Sequence, residues 1–390
     1  MKSIKKVYLQ IVDKENIKLA ILNASKKKRK RSDVKKVLEN IDDHVNIVHE
    51  MLKNTAPEDI QVENRLLAYQ PRRRIKHVIN TDNGRKVRII EKPNFVYDQI
   101  VHHAIMQILS PSMMSSMYMY CCGSVPNKGA ALGKKAIQKW ILNDRKNTKY
   151  ILKMDIRHFY PSVNKEYLKN YLDSRIKDKR TNYLLSIIID SCREGLPLGF
   201  YTSQWLANFM LEPLDHYIKE KLHAKYYVRY LDDMVIFGAN KKELHKTRKE
   251  IEERLHEMGL LMKYNHQVFR FDYVSRKDKK RKGRPLDFMG FKFYRDRTVL
   301  RKSLMLSATR KARKIAKKKR KTWYDAAGML SYIGWVDNTD TYQMYEKHIK
   351  PYVEIRRLKK IISSHARKER KKDDKMENSQ RNNVRRTENG

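Results

Sequence analysis

The stretch YYVRYLDDMVIFG, residues 226 to 238, constrains the fold more than any other part of the chain. Two runs of aromatic and β-branched residues flank Leu231-Asp232-Asp233. Runs of this kind read as strands, and Asp suits a turn because its side chain bonds the local backbone. The stretch is therefore expected to form a β-hairpin with two carboxylates at its tip. Asp155, in KYILKMDIRHFYPSV at 149 to 163, ends a second hydrophobic strand. If the two strands are neighbours, three carboxylates converge at one end of a sheet. Like charges packed that closely raise each other's pKa and repel unless cations hold them together. Two Mg²⁺ ions about 3.5–4 Å apart would do so and would clamp both oxygens of a phosphoryl transfer. Mg²⁺ also prefers one or two carboxylates plus substrate phosphates to a full protein cage. Asp155, Asp232 and Asp233 are thus the candidate catalytic and metal-ligating residues.

The rest of the chain makes that acidic notch unusual. Its 390 residues hold 87 Lys+Arg against 44 Asp+Glu, a net charge of +43. Such charge repels itself unless a polyanion neutralises it, which argues against an enzyme of small neutral metabolites and for nucleic acid. No stretch reaches the roughly 18 apolar residues of a spanning helix, so no membrane partner is expected. The N-terminal MKSIKKVYLQIVDKENIKLAILN is too interrupted by charge to read as a signal peptide. Cys121, Cys122 and Cys192 lack metal-ligand spacing and read as reduced thiols. A cytoplasmic location, in a bacterium or a phage-infected host, follows as the expectation.

Local patterns give an α+β layer, with helices behind an antiparallel sheet. IKHVINTDNGRKVRIIEKP, 75 to 93, is a hairpin signal with Asn83-Gly84 at its turn and Lys76, Lys86 and Arg88 on its strands. Thr202 or Ser203 is expected to cap a helix through WLANFMLEPLDHYIKEKL, which Pro213 should kink or split. KKELHKTRKEIEERLHEMG, 241 to 259, has Leu244, Ile251, Leu255 and Met258 on one face and Gly259 as its stop. Basic runs lie near 30, 280 and 315. Domain boundaries are expected as a basic N-terminal extension (1–70), a catalytic region (71–297), a helical region (298–362) and a basic disordered tail (363–390).

With these residues in place, the chain resembles the reverse transcriptases. KMDIRHFYPS is similar to their first catalytic motif, LPLGFYTSQWLAN to the second and RYLDDMVIF to the third. LHEMGLLMKYN looks like the fourth motif and PLDFMGFKF like the primer-grip hairpin, with Phe288, Met289 and Gly290 as the grip residues that the resemblance implies. The resemblance covers residues 70 to 360 and implies a right hand of fingers, palm and thumb. It also implies nucleotide-binding roles. Tyr160 would screen the sugar 2′-position, and Lys76, Lys86 and Arg88 would grip the triphosphate. Leu198, Gly199 and Gln204 would face the nucleotide, and Lys263 would donate a proton to pyrophosphate.

The second motif departs from the QGxxxSP form of retroviral and group II intron enzymes. Here Leu198 to Gln204 reads LGFYTSQ, which resembles the reverse transcriptases of diversity-generating retroelements. That family implies copying of a template-repeat RNA, with dNTPs, into adenine-mutagenised cDNA, and a small basic accessory variability protein as partner. Leucine offers volume but no hydrogen bond to the nucleotide, and about 1.4 kcal/mol is a tenfold change in discrimination. Two alternatives stay open. One is a group II intron-like or defence-associated bacterial reverse transcriptase. The other is a non-catalytic RNA-binding protein on a polymerase scaffold.

Overall fold

The computed structural model describes residues 3–72, 74–81, 86–369 and 371. Its chain divides into two compact units, Met1–Phe269 and Arg270–Gly390. The class is α+β, as the local patterns imply.

In the first unit the central sheet has strands β3 (Tyr150–Asp155), β4 (Tyr226–Tyr230), β5 (Asp233–Gly238) and β6 (Gln267–Arg270), in the order β4-β5-β3-β6. A separate hairpin joins β1 (Ile75–Thr81) to β2 (Lys86–Lys92), antiparallel, with Ile75 opposite Lys92 and Thr81 opposite Lys86. The Asn83-Gly84 turn expected between them lies outside the described residues.

Side chains alternate along a strand, so the register assigns each residue to a face. Leu152, Met154, Tyr227, Met234 and Ile236 point one way and are buried in one large core. The helices Tyr201–Met210, Glu212–His216 and Lys241–Glu257 bury Leu206, Phe209, Leu214, Leu244, Ile251 and Leu255 in the same core. The last of these helices is followed by Gly259 at φ +71°, the left-handed stop that its sequence implies. Pro213 sits in the first turn of Glu212–His216, so the split expected there occurs, at Leu211. Thr202 and Ser203 do not cap. The preceding helix starts at Tyr201 after Phe200, and both hydroxyl residues are buried inside its first turn. Packing has displaced a purely local preference.

The N-terminal 70 residues also depart from expectation. Rather than an appendage, their helices Tyr8–Val12, Lys14–Ser25, Ser32–Glu39 and Ile41–Lys53 contribute Ile11, Ile17, Ile21, Val34, Val48 and Leu52 to the same core as helix Ile100–Ser116. Their basic charges conceal an ordinary amphipathic face.

The second unit begins with the short pair β7 (Tyr273–Val274) and β8 (Arg281–Lys282). A three-stranded sheet follows, from β9 (Leu286–Phe288), β10 (Phe291–Phe293) and β11 (Thr298–Leu300). Helices Lys302–Ala316, Trp323–Val336 and Tyr342–His348 come next. The division falls after Phe269, not at 297, so the β9–β10 hairpin belongs with the helical unit. Residues 355–369 are helical and run through the boundary expected at 362. Among the described residues, no helix is long and apolar enough to cross a membrane.

Candidate active site

The hairpin β4–β5 brings the acids together. Asp155 and Asp233 are direct cross-strand partners, and Asp233 in turn pairs with Tyr230 across the hairpin. Asp155 and Asp233 therefore lie on the face opposite Tyr227, Arg229 and Met234. Asp232 occupies the turn. The chain bends there through Leu231, whose φ of +57° is uncommon for a branched residue.

Electrostatics at this point are unresolved by the protein alone. Burial, and then the neighbouring Asp155 carboxylate, push Asp232 up to about 7. One Asp155 oxygen, Oδ2, takes the ammonium of Lys263. The other, Oδ1, is buried with no hydrogen-bond partner among the described residues. An orphaned carboxylate oxygen beside a carboxyl that resists ionisation is a site short of positive charge. In this conformation the acids do not form a preassembled metal cage, since no cluster of three His, Cys, Asp or Glu ligands occurs among the described residues. The donor set still suits a hard divalent cation, because carboxylate oxygens are its preferred ligands.

Lys263 is held twice. Its backbone N–H donates to the Asp155 carbonyl at 2.9 Å, extending a pairing in which Arg157 N–H meets the Leu261 carbonyl at 2.7 Å. Tyr160 follows a left-handed turn at His158 and packs by Phe159, ring centroids 5.5 Å apart. Burial, and then the Asp232 charge, raise its hydroxyl to about 12, while Arg229 and Arg88 act in the opposite sense. Tyr160 and Arg88 thus belong to the surroundings of the acid cluster.

The second-motif loop is fastened to the β1–β2 hairpin. Glu91 N–H donates to the Leu198 carbonyl at 2.8 Å. At Gly199, φ +117°, a Cβ would lie 2.4 Å from the Glu91 carbonyl oxygen, so only glycine permits this approach. Arg74, which the sequence did not single out, pairs with Glu91 at 2.8 Å, reaches the Ser191 carbonyl and lies over the Phe200 ring. Leu198 is half-buried and Gln204 is exposed on its helix.

The hairpin separates residues that the sequence grouped. By register Arg88 shares a face with Ile79, whereas Lys76 shares the other with Glu91, to which it is 3.7 Å away. Lys76 nevertheless stays largely exposed, and the closer partner of Glu91 is Arg74. The Lys86 side chain lies outside the described residues. In the second unit Met289 and Gly290 have φ of +51° and +84°, forming a two-residue hairpin turn. Phe288 and Met289 are buried, so what this turn presents is backbone rather than side chain.

Behind the sheet lies a cluster that sequence reading missed. Arg229 is fully buried and paired with buried Asp215 at 2.5 Å. The signal was a lone guanidinium within an apolar strand, which burial forbids without a partner.

A family model for reverse transcriptase (RNA-dependent DNA polymerase) matches residues 80–293, more than half of the chain. The chain belongs to that family. Retron Ec73 reverse transcriptase of Escherichia coli is 33% identical over 131 residues, 28% of this chain and 42% of that protein. The chain thus covers less than half the length of that curated relative. Apo telomerase from Candida tropicalis has 13% identity and a TM-score of 0.48, covering 76% of this chain and 57% of the telomerase. Candida albicans telomerase in complex with a telomeric RNA fragment has 12% identity and a TM-score of 0.40, covering 70% and 54%. Reverse transcriptase domains use divalent metal ions.

Proposed function

We propose that this chain is an RNA-directed DNA polymerase of the diversity-generating retroelement type, copying a template-repeat RNA into adenine-mutagenised cDNA for a target gene. The observation that carries the polymerase reading is the cross-strand pairing of Asp155 with Asp233, with Asp232 in the adjoining turn. These three residues would hold two Mg²⁺, which when bound lower the pKa of a primer 3′-hydroxyl and neutralise the departing pyrophosphate. The chain's own side chains do the rest. Arg88 draws the triphosphate toward the acids, with Lys86 and Lys76 adding charge along the hairpin. Tyr160 blocks the sugar 2′-position beside Asp232. Lys263 moves from Asp155 to protonate pyrophosphate. The turn Met289–Gly290 supports the primer end through its backbone amides.

The retroelement reading rests on Leu198 and the LGxxxSQ motif it begins. Glu91 fixes the Leu198 backbone, yet the side chain has no hydrogen bond to give, so a mispaired nucleotide is rejected less well. Template RNA, the RNA–DNA heteroduplex and dNTPs are the substrates, and a small accessory variability protein completes the complex. A second reading, a retron-type bacterial enzyme without adenine mutagenesis, is favoured by the similarity to the retron protein.

Primer extension on an RNA template, with Mg²⁺ and four dNTPs, followed by sequencing of the cDNA, tests both. Errors concentrated at template adenines, absent with Asp232→Asn/Asp233→Asn, support the first reading. Even, infrequent errors move the assignment to the second.

A further inference from the structure

The acid-bearing turn is held from behind by a set of side chains that touch no reacting group. Arg229 aims its guanidinium along the back of the β4–β5 hairpin. Its Nε donates to Asp215 Oδ1 at 2.8 Å, and its Nη1 donates both to Asn208 Oδ1 at 2.9 Å and to the Leu231 carbonyl at 3.0 Å. That carbonyl belongs to the peptide that leads into Asp232. Asp215 is held in turn by the Tyr227 hydroxyl at 2.7 Å, and Asn208 Nδ2 donates to the Gly123 carbonyl at 2.8 Å.

Gly123 closes the arrangement. A Cβ there would lie 2.5 Å from the Leu231 nitrogen and 2.6 Å from its Cγ, so the 121–123 strip lies directly against the turn. The same strip is bound to β4, with Cys122 N–H donating to the Arg229 carbonyl at 2.7 Å and Arg229 N–H to the Tyr120 carbonyl at 3.0 Å. Leu231 is thus held from two sides, by a guanidinium on its carbonyl and a glycine against its amide. Its left-handed backbone is unfavourable for an L-residue and persists only where surroundings over-determine it.

We propose that Arg229, Asn208 and Gly123 form a positioning clamp that sets the Leu231 peptide, and through it the placement of Asp232 and Asp233 for divalent cation. The clamp is not a generic core feature, because a buried Arg–Asp pair could satisfy itself without reaching the turn. The fork geometry of arginine is what lets one side chain meet Asp215, Asn208 and the Leu231 carbonyl together. The inference rests on the polymerase reading and adds residues that act on the metal-binding acids without touching substrate.

Arg229→Lys keeps the charge and loses the fork, and Gly123→Ala pushes on the turn from the other side. The full chain and both variants are compared by Mn²⁺ binding, followed by electron paramagnetic resonance, by dNTP kinetics of primer extension, and by thermal melting. The clamp predicts Mn²⁺ affinity weakened about tenfold, in the range seen when ligand-orienting partners are lost. It predicts kcat lowered about 10- to 100-fold with KM for dNTP within about threefold, since misplacing a reacting group by ~1 Å costs about that much. Wild-type Mn²⁺ affinity and kcat in variants that melt within a few degrees of wild type would overturn it. If Arg229→Lys does not fold, Gly123→Ala decides by the same readings. A wild-type chain that binds Mn²⁺ but extends no primer would sink the polymerase reading, and Mn²⁺ affinity alone would then judge the clamp.

Discussion

The two faces of the β4–β5 hairpin treat charge in opposite ways. On the rear face Arg229 and Asp215 are fully buried and satisfied by each other, Asn208 and Tyr227. On the front face Asp155 and Asp233 lie side by side, Asp232 resists ionisation, and among the described residues Lys263 is the countercharge on Asp155. A closed network stabilises the fold because no charge is left over. An open one withholds some stability so that a ligand can supply it. The difference separates structural from functional charge more sharply than the identity of any single residue.

Four experiments would break or sharpen that contrast. The largest effect is expected on the front face. Asp155→Asn or Asp233→Asn should lower primer extension at least about a thousandfold, roughly 4 kcal/mol of transition-state stabilisation, with melting temperature little changed. An active Asp233→Asn variant would remove the functional meaning of the front face. Next comes the rear face. Arg229→Ala leaves Asp215 buried and unpaired and should cost about 3–5 kcal/mol in denaturant unfolding, while Arg229→Met/Asp215→Leu together should recover much of it. If the double replacement is as unstable as the single one, the pair is not the self-contained unit described.

The third prediction compares the faces by pH. The carboxyl of Asp232 is raised from 3.8 to about 7 in the folded protein. Between those values the folded state binds more protons than the unfolded one. Stability of the cation-free protein from this group is therefore greatest below about pH 4 and is lost as pH rises through 7. In chelator, Asp232→Asn should match wild type near pH 4 and exceed it at pH 8, by at most a few kcal/mol. Added Mg²⁺ should close that gap, and a melting difference independent of pH would contradict it. The smallest effect concerns Tyr160→Ala, expected to relax exclusion of ribonucleotides by about 10- to 100-fold, or about 1–3 kcal/mol. Competition between dNTP and rNTP in primer extension measures it, and unchanged selectivity would place the sugar screen elsewhere.

How much of this could be read from the chain varies by residue. The front-face acids were legible because Asp in a turn between apolar runs is a local pattern, and the Lys241–Glu257 helix because its apolar spacing is local too. Arg88 and Lys76 looked alike in sequence, yet register puts them on opposite faces of one hairpin, and of the two it is Lys76 that lies beside Glu91. Thr202 and Ser203 had the chemistry of helix caps but lie inside the helix, where burial of Trp205 and Leu206 fixes its start. The N-terminal 70 residues looked separate because charge density hid the spacing of Ile17, Ile21 and their partners.

By itself the sequence determined the acid-bearing hairpin of β4 and β5, the Lys241–Glu257 helix and the break before Pro213, since periodicity and turn chemistry act over a few residues. Only the tertiary structure decided that β3 lies beside β5, that Glu91 fastens the Leu198 loop, and that Asn208, Gly123 and Arg229 meet behind Leu231. Those contacts join segments far apart in the chain. Their energy comes from burial and from satisfying buried polar groups, and neither quantity exists until the segments have packed together.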